Sequence, residues 1–112
     1  MRRMTLPLPH NRANSSMHWR KEKRLKDAYM LRATAMEPWR PKYPHETLHV
    51  HATLYTYNRM DEDNLVARMK FVLDWLELRE IVGNDRNVRL KCEQAIDRKN
   101  QRVELVIDTT AP

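Results

Sequence analysis

The side chains best suited to chemistry lie in Arg59-Met60-Asp61-Glu62-Asp63-Asn64-Leu65, an acidic cluster inside a basic protein. Carboxylates this close repel one another, so their proximity costs stability unless positive charge sits among them. Aspartate oxygens favour a hard divalent cation, Mg2+ or alternatively Mn2+. Asp61 and Asp63 stand two apart, and in an extended segment that spacing turns both carboxylates to one side. Asp63 at a helix start would also sit at the positive end of the helix dipole, which favours a bound phosphate. The candidate third ligand is Asp85, in the loop sequence Gly83-Asn84-Asp85. A helix of about 15 residues carries the chain roughly 22 Å from Asp63. Glu80 to Asn84 must therefore run back extended along it for Asp85 to join within one subunit. The competing reading is structural: Asp-Glu-Asp-Asn before a helix is a common capping sequence. A calcium loop of the EF-hand type is disfavoured, because Val66 stands where that loop needs glycine.

The elements that must position these residues follow from periodicity. Met4 to Leu8 has strand character, but Pro7 and Pro9 cannot donate to a ladder, so it belongs at an edge or ends early. A polar loop spans Pro9 to Ser16. The spacing of Leu25, Ala28, Tyr29, Arg32 and Met36 predicts a helix from Met17 to about Met36, with Ser15 or Ser16 as N-cap. Pro38, Pro41 and Pro44 then make a stiff linker. Thr47 to Tyr57 alternates as a strand, with Leu48, Val50, Ala52 and Leu54 on one face and His49, His51, Thr53, Tyr55 and Tyr57 on the other. Asp63 can cap a second helix, Asn64 to about Arg79, striped by Leu65, Met69, Val72, Leu73, Trp75 and Leu76. Gly83, the only glycine, is expected in a turn needing positive φ. Val88 to Ile96 alternates again, Asp97 to Gln101 suggests a hairpin turn, and Arg102 to Ile107 its return strand. The resulting order, β-α-β-α-β-β, predicts an α+β fold with two helices packed on a mixed sheet.

Size and charge bound the function. The 112 residues suit one domain, and 41% hydrophobic content supports a packed core. Mean hydropathy is −0.83 and no run approaches the ~20 apolar residues of a membrane span. The first residues are basic without the apolar stretch of a signal peptide, and Cys92 is alone. Both point to a reducing, cytoplasmic setting with no disulfide framework and no cysteine zinc site. Residues 1–45 carry 11 Lys+Arg against 3 Asp+Glu, net +8, while residues 46–112 carry 10 against 12, net −2. A sequence pI near 9.8 with such asymmetry fits a localised contact with nucleic acid, so the acidic cluster suggests chemistry on a phosphate backbone.

Asp61-x-Asp63-Asn64-Leu65, then Leu73-Asp74-Trp75-Leu76, then Ile81-Val82-Gly83-Asn84-Asp85 followed by Val88, resembles the RusA-like Holliday junction resolvases. Pro7-x-Pro9 with its basic loop, and the closing Arg102-Val103-Glu104-Leu105-Val106-Ile107, are similar too. The likeness covers essentially the whole chain, but only residues 59–88 carry a specific motif. It implies a homodimeric, Mg2+-dependent endonuclease that binds four-way DNA junctions and makes paired nicks. It also implies that Asp61, Asp63 and Asp85 are the essential acids, holding one or two Mg2+ ions that activate water and stabilise charge on phosphorus and the leaving oxygen. One position departs from the pattern. The family usually has lysine four residues after the second aspartate, where this chain has Ala67. Lys70, seven residues after Asp63, replaces that charge best on direction, and Arg68 best on distance. A weakened or non-catalytic binder of branched or single-stranded DNA is the alternative.

Further DNA contact is expected from Arg20, Lys21, Lys23 and Arg24, the densest basic run, and from Arg68 and Lys70; a solvated helix face is the competing reading. His18 and Trp19 could stack on bases, although Trp19 suits a core anchor slightly better. His49 and His51 lack the partners of a zinc site and fit a half-exposed sheet surface with Tyr55 and Tyr57. Glu62 is expected to point away, Asn64 to support the helix start, and Asp74 to be structural. The single glycine excludes the usual nucleotide-binding fingerprints.

Overall fold

The computed structural model describes residues 1–9 and 19–108. The elements are β1 (Arg2–Pro7), α1 (Trp19–Met36), β2 (Leu48–Thr56), α2 (Glu62–Arg68), α3 (Lys70–Leu78), a 3-10 turn (Asp85–Asn87), β3 (Val88–Ile96) and β4 (Arg102–Asp108). The sheet order is β1-β4-β2-β3, with β2 and β3 parallel and the other neighbours antiparallel. The helices cover one face, so the chain is the expected α+β fold on a mixed sheet. The polar loop residues 10–16, the expected caps Ser15 and Ser16, and His18 lie outside the described residues.

Alternation in β2 turns into layering. Leu48, Val50, Ala52 and Leu54 are buried among Tyr29, Ala33, Val72, Trp75 and Leu76, while His49, His51, Thr53 and Tyr55 lie half-buried on the uncovered face. β1 is an edge strand that ends at Pro7, as its prolines require. Tyr29 fixes α1 to that edge: its hydroxyl donates to the Pro7 carbonyl at 2.8 Å, and burial pushes the phenol well above its usual pKa. Trp75, fully buried, donates from Nε1 to Thr34 Oγ1 at 3.0 Å and so joins α3 to α1. Lys26 and Asp74 pair at 3.1 Å across the same helices, a structural use of Asp74.

Several local expectations are corrected. In α1 the buried positions are Tyr29, Met30 and Ala33, so the inward stripe is rotated from the predicted one and Ala28, Arg32 and Met36 face outward. Trp19 is 62% exposed and anchors no core. The second helix is broken at Met69, whose N–H reaches Val66 O instead of the residue four back. The predicted stripe nevertheless continues across it, with Leu65, Met69, Val72, Trp75 and Leu76 all buried. Gly83 has no positive φ; that conformation falls to Glu80, φ 57°. The reason is a Schellman end to α3: Ile81 N bonds Leu76 O at 2.9 Å and Glu80 N bonds Glu77 O at 3.0 Å.

The Asp97–Gln101 link is not a hairpin, because β4 lies on the far side of β2 from β3. Five residues suffice to step over one strand, roughly 10 Å from first neighbour to second. The link crosses the end of β2, where Asp97 N donates to Thr56 O at 3.0 Å. Its turn is held by Asp97, whose Oδ1 accepts from Lys99 N and Asn100 N while Oδ2 takes Arg102 Nη1 at 2.9 Å.

Candidate nucleic-acid interface

The chain leaves β2 through Tyr57-Asn58-Arg59-Met60, and five contacts fix its path. The buried Thr56 donates from Oγ1 to Asn58 O at 2.8 Å. Arg98 Nε donates to Tyr57 O at 3.4 Å. Gln94 of β3 grips Met60 twice, accepting its N–H at 2.9 Å and donating to its carbonyl at 2.6 Å. Arg68 Nη1 reaches Met60 Sδ at 3.1 Å. A rigid segment therefore delivers Asp61 to the start of α2.

Asp61 is the N-cap: its backbone is extended (ψ 165°) and Oδ1 accepts Asn64 N at 3.0 Å. The expected cap, Asp63, is instead inside the first turn. That difference separates the two carboxylates. On a helix, residues 61 and 63 point about 200° apart, whereas 61, 64 and 68 share one face. Asp61, Asn64 and Arg68 indeed line one cavity of about 750 Å³, together with Arg32, Arg59, Tyr57 and Gln101. Asp63 does not line it and is exposed.

The cavity is cationic. Among the described residues that line it, Arg32 of α1, Arg59 of the β2 exit and Arg68 of α2 accompany one carboxylate, Asp61. Arg68 is partly committed: Nε donates to Pro9 O at 2.7 Å, and burial lowers its pKa without threatening its charge. Arg59 and Arg32 are exposed. An arginine fork matches phosphate oxygens, so the arrangement suits a phosphodiester backbone.

Asp85 does not join this site within one chain. It precedes Val88, which pairs with Leu48 at the beginning of β2, whereas Met60 is held at Gln94, six residues further along β3. Those six steps amount to roughly 20 Å. Glu80 to Asn84 does not run back along the helix; Ile81 to Gly83 pairs with His45 instead, through His45 N to Ile81 O and Gly83 N to His45 O. Among the described residues, no group of three or more His, Cys, Asp or Glu side chains is arranged to hold a metal ion.

Lys70 also falls elsewhere, in a smaller hollow with Lys23, Lys26 and Asp74. Of the two replacements for the family lysine, Arg68 is the one beside Asp61. Arg20, Lys21, Lys23 and Arg24 are exposed on α1. His51 meets Glu93 at 3.0 Å on the open sheet face.

Arg32, Arg59 and Gln101 join the site without having been singled out. Arg59 was legible as the cation beside the acidic cluster. Arg32 was hidden by its place in an apparently apolar stripe, and Gln101 by a link that looks like a hairpin. No protein-family model and no curated protein matches the chain. Among the described residues no helix is long and apolar enough to cross a membrane. Fold and site together define the class: an α+β sandwich with an arginine-lined, acid-bearing cavity at the exit of its central strand.

Proposed function

We propose that this protein binds branched DNA and nicks it in a Mg2+-dependent reaction, as a junction-resolving endonuclease of the RusA-like kind. The observation that carries this reading is Asp61, the N-cap of α2, standing in a cavity with Arg32, Arg59 and Arg68. Mg2+ is ordinarily held by one or two carboxylates plus substrate phosphate and water, and Asp61 with a DNA phosphate fits that habit. A three-carboxylate set from one chain does not fit, given the position of Asp85. When bound, the ion would supply an activated water and neutralise charge on the phosphate. The chain's own part is to seat the phosphate on Arg59 and Arg32, to brace it with Arg68, and to present the Asp61 oxygens beside it.

Two nicks on a two-fold junction call for two sites, so the assembly would be a homodimer acting in the cytoplasm of a bacterial or phage-infected cell. Any part Asp85 takes in the same site would then come from the second subunit. A second reading, a binder without catalysis, is favoured by Ala67 at the family's lysine position. The test is a labelled four-way junction incubated with the protein in Mg2+ and in EDTA. Cleavage in Mg2+ alone supports the nuclease; salt-sensitive binding with no cleavage supports the second reading.

A further inference from the structure

Tyr57 is the first residue beyond β2 and borders the arginine-lined cavity. It is 56% exposed, and its carbonyl accepts from Arg98 Nε at 3.4 Å. Arg98 lies over its ring, Cζ 5.2 Å from the centroid. Single exposed aromatics are ordinary, and most serve nothing. This one combines a largely exposed ring, a guanidinium across it, and Arg59 two residues away in the same cavity.

An aromatic ring beside a backbone-binding groove is the arrangement that captures bases whose faces are free of the duplex stack. Arg98 adds a second planar cation to the same place. A paired base inside a helix cannot use such a ring, because both of its faces are already covered. We infer that Tyr57 is a stacking platform for an unpaired nucleobase whose adjoining phosphate enters the arginine-lined cavity. The inference rests on the reading of that cavity as a DNA-backbone site, and it specifies the substrate as DNA with an unstacked base at the branch.

The test uses a single-stranded oligonucleotide carrying one 2-aminopurine, and the same oligonucleotide in a full duplex. Wild type and Tyr57→Phe should quench the probe in the single strand and bind it about tenfold tighter than Tyr57→Ala does. Duplex affinity should be the same in all three proteins. Arg59→Ala serves as the backbone control and should weaken both DNAs. If Tyr57→Ala, checked for native circular dichroism, quenches and binds like wild type while Arg59→Ala binds weakly, the stacking role is overturned and the backbone site stands. Failure of wild type to bind either DNA overturns both.

Discussion

Asp61 serves two ends that substitution can separate. Its side chain caps α2, and its carboxylate is the one acidic group among the described residues that line the cationic cavity. Asparagine caps a helix about as well as aspartate, whereas alanine does not. Asp61→Ala should therefore cost about 1 kcal/mol in urea unfolding, and Asp61→Asn much less. Equal losses for both would mean that the cap contributes nothing. Residue types were the most legible layer of this chain: the acidic motif and Ala67 stand out in sequence. Side-chain direction was not. Asp61 and Asp63 share a side only if the segment is extended, and the helix begins at Glu62, between them.

At the scale of elements, strands were read well because a two-residue period survives small errors in their ends; β3 has the bounds expected from its alternation. The helices were harder. A polar residue such as Thr34, which accepts from Trp75, can occupy an inward stripe, and an exposed Met36 can mimic one. Chain reversals were hardest, since the turn residues do not say which neighbour a strand will choose. The end of α3 gives a prediction: Glu80 holds a left-handed conformation that glycine adopts freely, and its pair with Arg40 at 2.9 Å is exposed and worth little. Glu80→Gly should raise stability by roughly 0.5–1 kcal/mol, measured by urea unfolding; a loss would assign real weight to the Arg40 pair. The β3–β4 link gives another. The hydrogen bond from Arg102, with backbone bonds from Lys99 and Asn100, holds the Asp97 pKa below its ordinary 3.8. A depressed carboxylate stabilises the fold above its unfolded pKa and loses that contribution as pH falls through the folded value. The stability gap between wild type and Asp97→Asn should thus be present at neutral pH and close below about pH 4; a gap unchanged at pH 3 would contradict the Arg102 contact.

Over the whole molecule, the parallel pairing of β2 with β3 decides what can meet. It places everything after β2 at one end of the sheet and everything before β3 at the other, which is why Asp85 stands apart from Asp61. No pattern within a single segment carries that information, because it depends on whether β3 pairs with β2 parallel or antiparallel. The crossing of the 97–101 link over the same end then brings Gln101 and Arg98 to the β2 exit, and the exposed face of α1 brings Arg32. The central claim is that this end of the sheet both holds DNA and carries the reactive carboxylate. The most direct measurement is binding and Mg2+-dependent cleavage of one four-way junction by wild type, Asp61→Asn and Arg59→Ala. Asp61→Asn should bind like wild type and fail to cleave, and Arg59→Ala should bind more weakly, with a salt dependence shallower by about 0.9 in log–log slope. Cleavage by Asp61→Asn at the wild-type rate, with Arg59→Ala binding unchanged, would contradict it.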